Sequence, residues 1–181
     1  MVNSLDTEIS KLERQLDELL QMVKPLSRKQ QNFKPDANSW SMLQMFRHMM
    51  QSEGQINKYL RKKILGVETT DKAGIGAWLR SIILNTAMRL PIKYKVPDAI
   101  KVDLDESYEY EKLSVEWKSL RKEIRDFLED IDEETCRKEI FRHPVMGRMS
   151  ILQGLAFMQV HLARHTQQVE RIMHHPDFPK V

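Results

Sequence analysis

"LAFMQVHLARHTQQVERI", residues 155–172, decides how this chain is read. Leu155, Met158, Leu162, His165, Val169 and Ile172 recur every three or four residues, which draws one stripe along an α-helix. Ile151 carries the stripe back to "SILQ" at Ser150, where serine and the glutamine three residues later fit a capping box. His161 and His165 stand one turn apart, about 40° around the axis, so both rings can reach one point. A stripe this apolar needs partners, and a pair of histidines needs either packing or a third ligand.

Three other segments offer the partners. Leu5, Ile9, Leu12, Leu16, Leu19 and Val23 step by fours and threes until Pro25 ends the run. A second "S-x-x-Q" box at Ser41 opens a segment with Leu43, Phe46, Met50, Leu60 and Ile64 on one side. Tyr110, Leu113, Trp117, Leu120, Ile124, Phe127 and Ile131 make the third stripe. The spacing predicts helices near 3–24, 41–64, 107–131 and 150–174, with no run of alternating strands. The expected fold is all-α: an up-and-down four-helix bundle in one domain, residues 1–181, with a long crossover between helices 2 and 3. Inside that crossover "AWLRSIILNTAMRL", residues 77–90, reads as a short extra helix, because 65–106 is too long for a plain loop. The prolines of "PIKYKVPDAIKVD", residues 91–103, predict an extended stretch across the bundle. Pro144 and Gly147 mark a turn into the last helix.

Composition narrows the function. The 181 residues are 41% hydrophobic and 30% charged, as in a helix-rich soluble protein. Basic residues number 29 and acidic ones 26, interspersed, so neither nucleic acid nor a membrane surface is an expected partner. The lone cysteine, Cys136, excludes an intrachain disulfide and fits a reducing compartment; its neighbours in "DEETCRKE" do not favour a thiolate. The first residues, "MVNSLDTEIS", lack a signal-like apolar stretch, and no segment approaches the roughly 20 apolar residues of a membrane span. The expected location is cytoplasmic.

His48 is the third ring to weigh. It lies two turns after Ser41, and His161 lies three turns after Ser150, so adjacent helices would bring both to one interior level. Ser41, Gln44, His48, Ser52 and Gln55 form a polar strip, which suits a hydrated or metal-filled cavity, or else faces solvent. His165 on its stripe could equally be a hydrogen-bonded core residue. His143, before Pro144, and His174 and His175, at the last helix end, read as non-ligands. No glutamate follows His161, which argues against a zincin peptidase. Met45, Met158 and Leu162 stand where a ferritin-like di-iron site needs glutamates. No general base is legible: Glu53 sits about 140° round the helix from His48. Gln44 and Gln168 are expected beside the ligands as orienting groups.

Three pieces, "SWSMLQMFRHMMQSE" from Ser39, "HPVMGRMS" from His143 and "LAFMQVHLARHTQQVERI" from Leu155, together resemble the DinB-like superfamily, including its YfiT-type proteins named as metal-dependent hydrolases. The resemblance implies a four-helix bundle holding a divalent metal, often nickel or zinc, through His48, His161 and His165. It makes "HPVMG" a structural lead-in to the last helix, and family habit implies a homodimer. Members of known activity include transferases dependent on low-molecular-weight thiols such as bacillithiol or mycothiol. The expected function is a metal-dependent enzyme activating such a thiol, or water, toward a small electrophilic substrate, as a thiol S-transferase or hydrolase. A metal-bound thiol needs no protein base, because the metal lowers its pKa. The alternatives are a non-catalytic bundle binding a metal or small molecule, and a metal-free bundle acting through protein contacts.

Overall fold

The four stripes become four long helices in the computed structural model, which describes residues 1–90, 97–143 and 147–180. In chain order the helices are α1 (Asn3–Val23), α2 (Arg28–Gln31), α3 (Met42–Ile64), α4 (Ile75–Arg89), α5 (Tyr110–Glu129) and α6 (Ile151–Met173). Serine capping boxes open α2, α3 and α6, at Ser27, Ser41 and Ser150, each closed by a glutamine three residues on. α1 packs on α5 and α6, and α3 packs on the same two helices, so the four stripes share one core. Phe46 and Trp117 are fully buried at its centre, their rings edge to face at 5.4 Å. Each buried side chain of this size adds about 1.5–3 kcal/mol of hydrophobic stabilisation.

The helix directions depart from up-and-down alternation. Arg47 of α3 faces Glu116 of α5, Glu53 faces Trp117 and Arg121, and Arg61 reaches the Glu123 carbonyl, so α3 and α5 run parallel. α1 and α5 run antiparallel: the Tyr110 hydroxyl donates to the Leu20 carbonyl, Lys118 pairs with Asp17 and Arg125 with Glu13. The physical reason lies between α3 and α5. A connection of more than forty residues, with its own helix, returns the chain to the end from which α3 started.

Two further elements were not expected. α2 is a single turn, and the lead into α6 is a hairpin of β1 (Phe141–His143) and β2 (Gly147–Met149). Gly147 has φ of 76°, a left-handed conformation that glycine adopts without steric cost. A Cβ on Gly154 would meet the Phe141 ring at 3.1 Å, so glycine lets the hairpin lie directly on α6. The turn expected at Pro144 falls at 144–146 and the first part of the expected extended stretch at 91–96, both outside the described residues; the rest of that stretch is interrupted by a 3-10 turn at Asp98–Ile100.

Glu53 is placed by this packing as well. Its carboxylate accepts from Arg121 Nε at 2.7 Å and from Trp117 Nε1 at 2.8 Å, with both charged side chains 3% exposed. No helix among the described residues is long and apolar enough to cross a membrane.

Candidate metal centre

His48 comes from the second turn of α3, and His161 and His165 from the middle of α6. The two capping boxes set the register that brings them level. Their ligand nitrogens all lie within 4.8 Å of one another. The His48 ring centroid is 5.4 Å from that of His161 and 5.1 Å from that of His165. His161 Nε2 and His165 Nε2 face each other at 3.0 Å.

That geometry fits a metal. Two metal–nitrogen bonds of about 2.0–2.1 Å at 90–109° hold their nitrogens about 2.9–3.4 Å apart. The His161–His165 spacing falls within this range, and a small inward swing completes the set. Without a cation, one of the two rings must turn an Nε2–H toward the other. All three donors are neutral imidazoles, a set that suits nickel and zinc alike.

The His48 ring is oriented from behind. Its Nδ1 is 3.0 Å from the Ile100 carbonyl oxygen, so Nδ1–H donates and Nε2 keeps its lone pair for the centre. Gln44 acts one step further out than expected. Its Oε1 closes the capping box on the Ser41 amide, and its Nε2 donates to the carbonyls of Asp103, Leu104 and Glu106 at 2.9–3.2 Å. Gln44 thus pins the segment that presents Ile100, rather than touching a ligand itself. Gln168 lies near His165 and favours its charged ring, but His165 Nδ1 itself is buried without a hydrogen-bond partner among the described residues.

Burial controls the protonation of the site. It lowers His165 to about 3, helped by the nearby His48 and against the pull of Gln168. His161 is held well below the ordinary histidine range by burial and then by the neighbouring His165 and His48. Burial lowers His48 too, against its bond to Ile100. The rings are therefore neutral at pH 7, the form that binds metal.

Around the rings lies a cavity of about 1070 Å³. Trp40 covers His48 with ring centroids at 4.8 Å, and Phe157 stacks on His161 at 5.5 Å. His143 stands edge-on to Phe157 at 4.8 Å, and burial lowers it to about 4, so it joins the wall beyond the triad. α4 closes another side through Leu84 and Met88. No aspartate or glutamate is among the described lining residues, and Glu53 is committed to Arg121. Cys136 is fully buried away from the cavity, its thiol pushed up by burial and by Glu133.

The sequence model of the DinB superfamily matches residues 11–169, a span that holds all three histidines, the whole of α3 and α5 and most of α1 and α6. The chain belongs to the DinB superfamily. Comparisons with curated proteins and with solved structures give no match. The Ile100 carbonyl, Trp40, Phe157 and the wall role of His143 are additions from the structure. Of these, Trp40, His143 and Phe157 lie inside the quoted motifs, whereas the Ile100 carbonyl has no local signal.

Proposed function

We propose that this DinB-superfamily protein is a metal-dependent enzyme, with nickel or zinc held by His48, His161 and His165. It would activate a low-molecular-weight thiol, or water, toward a small electrophilic substrate, as a thiol S-transferase or hydrolase. One observation carries the reading: three neutral rings converge on a cavity of about 1070 Å³ that has no carboxylate among its described lining residues. A bound divalent ion supplies Lewis acidity and lowers the pKa of a thiol or water beside it. The chain does the rest: Ile100 orients His48, Trp40 and Phe157 limit water, and burial keeps the ligands unprotonated. The absent carboxylate favours the thiol, since a water nucleophile gains more from a base.

In the same reading, the four long helices form the superfamily's bundle as one domain over 1–181, with the 65–109 connection as its crossover. The protein works in the cytoplasm as a homodimer. The test is elemental analysis of protein purified without metal-affinity resin, followed by nickel or zinc loading and a screen of thiols against a chromogenic electrophile. Near-stoichiometric metal that is lost in His48→Ala, with turnover lost in His161→Ala, supports the enzyme. Metal that persists in His48→Ala overturns the ligand set. Thiol binding without turnover leaves a metal-dependent binding module.

A further inference from the structure

The cavity is unbalanced in charge. The chain mixes 29 basic with 26 acidic residues, yet the charged residues described in the cavity lining are Lys58, Lys62, Arg142, Arg164 and Arg171. Some cations elsewhere pair with carboxylates, as Lys11 does with Glu8, Lys118 with Asp17, Arg125 with Asp6 and Glu13, and Arg137 with Glu133. Arg164 is engaged too, donating to the Met88 and Leu90 carbonyls and so tying the end of α4 to α6. Lys58, Lys62 and Arg142 are exposed and have no carboxylate partner among the described residues.

These three cations belong to one rim. Lys58 and Lys62 are one turn apart on the same face of α3, a like-charge arrangement that is mildly unfavourable in an isolated helix. β1, which carries Arg142, packs against α3. Arg171 adds positive potential from α6. A divalent ion held by the three neutral imidazoles would add more of the same sign, because they leave its charge uncompensated. A concave site lined by one sign of charge concentrates ligands of the other.

We infer that the molecule taken at this centre is an elongated organic anion, carboxylate- or phosphoryl-bearing, whose charged group is held by Lys58, Lys62 and Arg142, about 10 Å or more from the reactive end that faces the three histidines. This rests on the reading of the centre as a metal-loaded small-molecule site, and two titrations keep the two apart. In the nickel-loaded protein, 8-mercaptooctanoate and neutral 8-mercapto-1-octanol, long enough to span that distance, are followed by thiolate–nickel absorption. In the metal-free protein, benzoate and benzyl alcohol are followed by calorimetry. The anionic member of each pair should bind roughly tenfold tighter at low salt, and salt should erode the difference. The double variant Lys58→Met/Lys62→Met, altered only at exposed positions, should bring each pair nearly level. If both thiols are silent but benzoate keeps its lysine-dependent preference, thiol activation falls and the anion inference stands. Equal binding within both pairs overturns the inference, as does a preference that survives in the double variant.

Discussion

The Nδ1 of His48 stands 3.0 Å from the carbonyl oxygen of Ile100, fifty-two residues away in the chain. This bond selects the tautomer whose Nε2 is free to bind metal, so the backbone of the α4–α5 connection is part of the centre. Gln44 holds that connection in place through three carbonyls. Gln44→Glu keeps the capping-box acceptor but replaces the donating amide with a carboxylate that repels those carbonyls. Zinc affinity, measured by competition with a chromophoric chelator, should fall about tenfold with helix content unchanged. Wild-type affinity in this variant would show that the connection does not orient His48.

The metal-free protein should lose stability in mild acid. His165 is lowered to about 3 and His143 to about 4, against about 6.5 in the unfolded chain. Below pH 6.5 the unfolded state therefore binds protons that the native state refuses, and stability falls as pH falls toward 4. Above 6.5 these rings contribute no slope. Each fully depressed ring contributes about 1.4 kcal/mol per pH unit within that window. Urea unfolding at pH 8, 6.5 and 5 reads this directly, and His165→Gln should flatten the acid limb. A midpoint that is level from 6.5 to 5 contradicts the neutral-histidine centre.

Glu53 follows His48 by five residues and invites a catalytic role, but its ion pair with Arg121 gives it a different one. Glu53→Gln leaves the Arg121 guanidinium buried without its counter-charge, and should cost about 3–5 kcal/mol of stability. Metal content per folded molecule should stay the same. The double variant Glu53→Leu/Arg121→Met removes both charges and should recover most of the loss. Loss of metal with no loss of stability would instead tie Glu53 to the centre.

How much of this was legible follows from the length over which each signal runs. The stripes of α1, α3, α5 and α6 repeat for five turns or more, so their periodicity identified them to within about three residues. The ends of α3 and α6 were readable because Ser41 and Ser150 carry local caps. The hairpin strands span three residues each and α2 four, too short for any period to show. The parallel run of α3 and α5 depends on where the long connection returns the chain, which no local pattern encodes. At the centre, His48, His161 and His165 were named from spacing and resemblance, whereas the Ile100 carbonyl was not. A backbone acceptor has no residue identity to read.

The remaining prediction concerns the outer face of α4. Ile75, Trp78, Leu79, Ile82 and Ile83 fall at helical spacing on one side and are 43–79% exposed, and Leu90 just beyond the helix is 46% exposed. The opposite side of α4 is already used, with Ala77, Ser81 and Leu84 buried and Met88 facing the cavity. Patches of this kind exceed what scattered surface residues produce, and monomers rarely expose more than about 300–600 Å² contiguously. A twofold contact between two copies of α4 would cover the stripe isologously, at the modest end of interfaces near 800 Å² per partner. Sedimentation at tens of micromolar should therefore give a dimer, and Trp78→Lys/Ile83→Lys should give a folded monomer that still takes up metal. Trp78 fluorescence should shift to the red on dilution as its ring becomes solvated. A wild-type monomer at that concentration would remove α4 as a dimer face, and a dimer unaffected by the two lysines would place the contact elsewhere.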